Sequence, residues 1–360
     1  MKFLDLFAGI GGFRLGMESS GHKCIGFCEI DKFARASYKA IHDTKGEIEL
    51  HDITAVSDES IRRIGRVDII CGGFPCQAFS IAGNRRGFED TRGTLFFEIA
   101  RFASILRPKY LFLESVKGLL NHDGGATFET ILGALDELGY NVEWQVLNSK
   151  DFGVPQNRER VLIVGHLRGE CTRRVFPLSG QSQSISSQSV VKIGNVNPSG
   201  NGMNGEVYQA DGLAPTLTTT KGEGQKIAIK SNTIKQFGVL QPNFNQCGVV
   251  YETDGIAPTI RAYQGGGLEP KIIQRGHGYN QGGVHEIAPT LTSNSYHENN
   301  HLSFGYRIRK LTPRECWRLQ GFPDWAFDKA QEVNSNSQLY KQAGNSVTVN
   351  VISAIAKEFK

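Results

Sequence analysis

Short apolar runs alternate with segments of three- and four-residue apolar spacing from Met1 to about Arg168, the pattern of a parallel sheet covered by helices. The β-rich runs predict strands over residues 2–7, 24–29, 67–71, 110–114, 144–148 and 161–165. Between them, residues 94–106 set Leu95, Ile99, Phe102 and Leu106 on one helical face. The pattern then changes. Residues 181–189 form a Ser/Gln tract, and the following hundred or so are rich in Gly, Asn and Thr. Within them a phrase recurs as GLAPTLT at 212–218, GIAPTIR at 255–261 and EIAPTLT at 286–292, at spacings of 43 and 31 residues. Those spacings are too uneven for a stacked solenoid and suggest duplicated strand-and-turn units. Each copy has a Pro suited to a turn or edge strand, followed by β-favouring Thr, Leu or Ile.

Helical spacing returns from about Arg307. Thr312-Pro313-Arg314-Glu315 has the signature of an N-cap, a first-turn proline and a capping-box partner. Residues 346–359, with Val349, Ile352, Ile355, Ala356 and Phe359, predict a last helix whose apolar face needs a partner. The first domain is the simplest partner, so the middle segment reads as an insertion. The expected division is a cofactor-binding catalytic domain over 1–175, a smaller, irregular β-rich domain over 176–306, and a return segment over 307–360.

Composition narrows the class. The 360 residues are 39% hydrophobic and 21% charged, ample for a packed core, and carry a net charge of +4 that permits nucleic-acid contact without requiring it. No apolar run approaches the roughly 20 residues of a membrane span, and Lys2 leads directly into a strand-like segment carrying Asp5, unlike a secretory signal. Seven cysteines without a CxxC pair indicate neither a disulfide scaffold nor a structural zinc site, so no metal is expected. The expectation is a reduced cytoplasmic protein that makes no use of a membrane.

Two loops carry candidate chemistry. Asp5-Leu6-Phe7-Ala8-Gly9-Ile10-Gly11-Gly12 is a strand ending in a glycine-rich turn that opens a helix, where Gly9, Gly11 and Gly12 let the backbone approach a ligand and Phe7 and Ala8 enter the turn. Glu29 follows Gly9 by 20 residues at a strand end, placed to accept bonds from ribose hydroxyls. Arg14 stands where a dinucleotide fingerprint requires glycine, so a nucleoside ligand fits better than a nicotinamide; a tight turn without a ligand is the plain alternative. At the end of the third predicted strand, Gly72-Gly73-Phe74-Pro75-Cys76 puts a thiol in the crevice where open α/β sheets bind ligands, although most lone cysteines are inert.

With these blocks and five more, the chain resembles the S-adenosylmethionine-dependent DNA (cytosine-5)-methyltransferases of bacterial and phage type, as found in restriction-modification systems. The blocks, in the family's order, are Asp5–Gly12, Glu29, Asp52-Ile53, Pro75-Cys76-Gln77, Arg92-Gly93-Thr94-Leu95, Glu114-Ser115-Val116, Gln156-Asn157-Arg158-Glu159-Arg160 and Gly344-Asn345-Ser346-Val347. The resemblance covers nearly the whole chain apart from the middle segment. It implies a Rossmann-like α/β methyltransferase sheet with an inserted β-rich target recognition domain, S-adenosylmethionine as cofactor and double-stranded DNA as partner. A monomer is expected, in the cytoplasm of a bacterial or phage-infected cell.

The resemblance also assigns roles. Cys76 is the thiolate that attacks carbon 6 of cytosine, Glu114 contacts ring nitrogen 3 and the amino group, Arg160 holds the carbonyl oxygen, and Arg158 helps position Cys76 and a nearby phosphate. Phe7 lies against adenine, Glu29 on the ribose, and Asp52 and Ile53 at the adenine edge. Pro75, Leu95, Asn345 and Ser346 line the rest, with Ile30 where relatives often carry a larger residue over the adenine. A base inside a duplex hides carbons 5 and 6, so the target must be flipped out. The segment 80–90, with Ser80, Arg85 and Arg86, suits closure over DNA; Gln156 joins these DNA-binding candidates, and Thr216, Thr259 and Thr290 are the candidate base readers of the middle domain. Ser115 stands where the family usually has an Asn that braces the catalytic loop, which predicts a weaker brace. Transfer RNA as substrate, and a catalytically silent DNA-binding homologue, are the rival readings.

Overall fold

The chain divides into two units. The first comprises Met1–Val190, Gly212–Gly224 and Leu311–Lys360, the second Val191–Asp211 and Gln225–Lys310. The computed structural model describes residues 1–75, 95–179, 189–195, 206–210, 212–217, 226–230, 236–239, 249–251, 272–274, 283–285, 300–301 and 306–359.

In the first unit, β1 (Lys2–Leu6), β2 (Lys23–Cys28), β3 (Ile48–Leu50), β4 (Ile69–Gly73), β5 (Tyr110–Val116), β6 (Tyr140–Asn148) and β7 (Glu159–Leu167) form one sheet. Their order is β3-β2-β1-β4-β5-β7-β6. The five strands from β3 to β5 pair in parallel, whereas β7 is antiparallel to both its neighbours. The expected all-parallel sheet is corrected at this one strand. The three-residue edge strand β3, Ile-Glu-Leu, lies below the length at which alternation can be read, so the strand before Cys76 is the fourth rather than the third.

The helices are α1 (Gly12–Glu18), α2 (Lys32–Ile41), α3 (Asp58–Arg63), α4 (Leu95–Leu106), α5 (Ala126–Glu137), α6 (Pro313–Leu319), α7 (Asp324–Gln331), α8 (Asn336–Asn345) and α9 (Val349–Ala356). Because successive strand residues face opposite sides, the sheet carries two cores. Leu4, Leu6, Ile70, Leu111 and Leu113 pack with Ile99 and Phe102 of α4 and Ile131 of α5. On the other face, Phe3, Ile69, Cys71, Tyr110 and Phe112 pack with Phe13 of α1 and Ile352 and Ile355 of α9. The last helix thus finds its partner in the first domain, as its apolar face requires. Thr312 and Glu315 form the expected capping box at the start of α6.

Gly16 is where α1 and α9 meet. A Cβ there would lie 2.5 Å from Ile352 Cγ2, 2.6 Å from its Cβ and 3.0 Å from the Ser353 backbone nitrogen. Gly16→Ala gains about 1 kcal/mol of helix propensity but overpacks the contact at about 1–3 kcal/mol. The expected result is a net loss of stability in chemical denaturation, because the nearest atoms belong to a β-branched side chain and a backbone with little room to yield.

The second unit is built of strands. β8 (Lys192–Asn195), β9 (Glu206–Gln209), β10 (Lys226–Lys230) and β16 (Tyr306–Lys310) form a sheet in the order β16-β10-β9-β8. β11 (Gln236–Val239) pairs with β12 (Val249–Tyr251), and β13 (Ile272–Gln274) with β14 (Gly283–His285) and β15 (Asn300–His301). Its boundaries differ from those expected. Val175 and Phe176 are buried in the first unit, where the Glu143 carboxylate accepts both their amides, so that unit continues past 175. β16 pairs with β10, so the second unit extends to Lys310 rather than ending at 306. The first copy of the repeated phrase belongs to the first unit, because Ala214 bridges Gln156. Among the described residues, no helix is long and apolar enough to cross a membrane, and no group of three His, Cys, Asp or Glu could hold a metal.

Candidate active site

The carboxyl ends of parallel strands are where an open α/β sheet presents its loops to a ligand. Here the Phe7–Gly11 turn follows β1, Glu29 follows β2, Asp52 follows β3, and Phe74-Pro75 follows β4. Phe7, Gly9 and Gly11 all have positive φ, at 57°, 57° and 87°. Gly11 tolerates no side chain, since a Cβ would lie 2.0 Å from His42 Nε2. In front of Gly9 a Cβ would meet nothing within 4 Å, so the turn faces open space.

Glu29 ties this turn to the next strand. Its Oε2 accepts the Gly9 amide at 2.7 Å and its Oε1 the Asp31 amide at 2.8 Å. Burial pushes its carboxyl above the usual range, against the pull of those two amides. Ala8 is buried and donates its amide to Cys28 O, while Ile30 is exposed beside Glu29. Asp52 is half-buried, and the hydroxyl and amide of Thr54, at 2.7 and 3.0 Å, hold its carboxyl below the usual range. Ile53 is buried in the core beneath it.

The return segment completes this side. A Cβ on Gly12 would lie 2.7 Å from Val347 Cγ2 and 3.0 Å from Ser346 Oγ, so residues from the far end of the chain stand against the glycine turn. Asn345 is exposed and Ser346 buried. α8, which ends at Asn345, is fastened to α2 by residues the sequence reading missed. Lys341 pairs with Asp31 at 2.6 Å, and Gln342 donates to Phe33 O while accepting from Ser37 Oγ. The one sequence signal there is an Asp of N-cap type, Asp31, whose side chain accepts the Phe33 and Ala34 amides at the start of α2.

Glu114 pairs with Gly73 across β5 and β4, beside the loop that leads to Cys76. Burial pushes its carboxyl up, and Arg160 and Arg158 pull it only part of the way back. Arg160 Nε sits 3.0 Å from Glu114 Oε1. The antiparallel direction of β7 makes this possible: its first residues lie beside the last of β5, with Arg160 opposite Val116. A parallel β7 would start at the opposite edge of the sheet.

Arg158 is more deeply buried than its neighbour. Its Nη2 donates to Ser346 O at 2.8 Å and Gly344 O at 3.2 Å, the carbonyls on either side of Asn345, and its Nη1 to Leu217 O at 3.4 Å. Burial, with Arg160 adding to it, lowers its pKa to about 9. Ser115, where a weaker brace was expected, donates its hydroxyl to Phe74 O at 3.3 Å, and the Phe74 amide donates to Glu114 O at 3.2 Å. The shorter side chain still holds the start of the loop.

The fully buried Gln156 has no hydrogen-bond partner for either side-chain polar atom among the described residues. Thr216 gives its hydroxyl to Asn157 O at 2.8 Å. Pro75 is exposed and Leu95 half-buried at the start of α4. Cys76, Ser80, Arg85, Arg86, Thr259 and Thr290 lie outside the described residues.

The model of the C-5 cytosine-specific DNA methylase family matches residues 1–360. The chain belongs to this family. Among its relatives, the type II methyltransferase M.HpaII of Haemophilus parainfluenzae is 39% identical over 361 residues, covering 99% of this chain and 88% of the relative. M.HhaI of Haemophilus parahaemolyticus is 36% identical, covering 99% and 93%, and the orphan methyltransferase M.SPRI of Bacillus phage SPR is 35% identical, covering 99% and 97%. In fold the chain is similar to a crystal structure of Spodoptera frugiperda DNMT2, at a TM-score of 0.58 and 19% identity over 99% of this chain and 98% of that one.

A C-5 cytosine methylase uses S-adenosylmethionine as methyl donor. The residues present fit that cofactor. The turn before Gly9 is open, Glu29 offers a carboxylate beside it, Asp52 is half-buried, and Pro75 and Asn345 are exposed.

Proposed function

We propose that the enzyme methylates carbon 5 of a cytosine flipped out of duplex DNA, through a transient bond between Cys76 and carbon 6. The observation that carries this reading is the buried Glu114 carboxyl paired with Arg160 beside the strand end that leads to Cys76. Carbon 5 is too weak a nucleophile to take a methyl group unaided. Attack of the Cys76 thiolate on carbon 6, with Glu114 supplying a proton to ring nitrogen 3, moves the electron pair of the 5,6 double bond onto carbon 5. Arg160 neutralises charge at the ring carbonyl. S-adenosylmethionine, when bound, supplies the methyl group. Loss of the carbon-5 proton then expels Cys76 and restores the double bond, and ring nitrogen 3 returns its proton to Glu114.

Glu29 would hold the ribose, Asp52 and Ile53 the adenine edge, and Phe7, Leu95 and Asn345 the remaining walls. The second unit, Val191–Asp211 and Gln225–Lys310, reads the target sequence, with Thr259 and Thr290 the base readers. Thr216 ranks below them because its hydroxyl is already engaged by Asn157. The enzyme acts in the cytoplasm of a bacterial or phage-infected cell.

Labelled S-adenosylmethionine offered with duplex DNA and, in parallel, with transfer RNA tests the reading. The expected product is 5-methylcytosine in DNA at one recurring sequence. Label in transfer RNA alone would overturn the choice of substrate.

Glu29→Ala isolates the cofactor side. Charge-assisted hydrogen bonds to two ribose hydroxyls are worth roughly 1.5–3 kcal/mol each, so the Kd for S-adenosylmethionine should rise about tenfold or more. Calorimetry without DNA reads this directly. An unchanged Kd would leave Glu29 a fastener of the Gly9 turn only.

A further inference from the structure

Arg101 belongs to none of the groups assigned above. It stands on α4, yet Nη2 donates to Ile53 O at 3.0 Å and Nη1 to Val56 O at 2.8 Å. Those carbonyls bracket the short 3-10 turn Ile53–Ala55 that Asp52 caps. Two carboxylates hold the same guanidinium: Glu98 at 2.6 Å and Asp58 at 2.8 Å. The planar fork of an arginine serves four acceptors at once, which the single nitrogen of a lysine cannot do. A surface ion pair would have needed only Glu98, three residues away on the same helix. The carbonyl bonds instead join α4, which starts at Leu95, to the turn carrying Asp52.

We infer that Arg101 is a positioning residue for the adenine end of the cofactor, setting the Asp52–Ile53 turn against α4 before the cofactor arrives. The inference rests on the proposed placement of Asp52 and Ile53 at the adenine edge. A carboxylate held there accepts a hydrogen bond from the adenine amino group and repels the carbonyl that replaces that group in hypoxanthine. A turn freed from Arg101 loses that discrimination.

The experiment measures Kd for S-adenosylhomocysteine and S-inosylhomocysteine by calorimetry on the full chain and on R101K, R101M and D52A, with unfolding midpoints recorded. In both Arg101 variants, affinity for the adenosyl compound should fall about tenfold and affinity for the inosyl compound little, the change expected from one lost charge-assisted bond. R101K, which keeps a cation between Glu98 and Asp58, should hold its unfolding midpoint near that of the parent. Wild-type preference in both Arg101 variants, or an equal loss for both compounds, would overturn the inference while a lowered preference in D52A leaves the adenine-edge reading standing. A preference that survives D52A overturns that reading and the inference with it.

Discussion

Cys76→Ser is expected to reduce methyl transfer below detection while leaving S-adenosylmethionine binding intact. A serine hydroxyl ionises far above any working pH, so it cannot supply the anion that carbon 6 requires, whereas a thiol ionises near neutrality. The loop leading to this position is anchored from both backbone groups of Phe74. Its amide donates to Glu114 O and its carbonyl accepts from Ser115 Oγ, so the strand that carries the carboxyl group also carries the nucleophile's support. Duplex DNA with 5-fluorocytosine at the target gives the positive signature. Fluorine takes the place of the proton that must leave carbon 5, so elimination stops and a denaturant-resistant protein–DNA adduct accumulates. The parent chain should form it and Cys76→Ser should not. Absence of the adduct on a site that the enzyme methylates would sink the covalent route.

Much of this arrangement was legible before the fold was known, for reasons that differ from residue to residue. The strands β1, β2, β4 and β5 announced themselves because each is buried on both faces over most of its length and reads as a largely apolar run. The glycine turn was legible because positive φ at Gly9 and Gly11 favours glycine, and Glu29 because it follows that turn by 20 residues at a strand end. The direction of β7 was not, because an apolar run looks the same read either way, and that direction alone brings Arg158 and Arg160 to Glu114. Nor could local pattern show that Arg158 would be spent on the carbonyls of Gly344 and Ser346. Such a bond spans 186 residues of chain and involves backbone acceptors, which carry no sequence signal. Arg101 escaped for the same reason: its Glu98 partner is a visible i,i+3 pair, but the carbonyls of Ile53 and Val56 are not.

Glu114→Gln should lower kcat by roughly 10²–10⁴-fold, the usual contribution of a positioned general acid. Glutamine keeps the size of the side chain and can still accept from the cytosine amino group, but it has no proton to give to ring nitrogen 3. The pH profile separates this role from mere contact. Burial holds the Glu114 carboxyl above its ordinary range even with Arg160 at 3.0 Å and Arg158 nearby, so its protonated form persists to higher pH than an exposed glutamate allows. A group that must be protonated supports activity below its raised pKa and fails as pH climbs through it. On the proposed route Cys76 attacks as a thiolate, so its step acts in the opposite sense and is favoured as pH rises. The parent enzyme should therefore show a bell-shaped kcat profile, with Glu114 on its falling limb. In Glu114→Gln the residual activity should rise with pH and reach a plateau, because the only group whose deprotonation was harmful is gone. A falling limb that survives the substitution at the same pH would assign the proton on ring nitrogen 3 to another donor and leave Glu114 as a hydrogen-bond acceptor for the base.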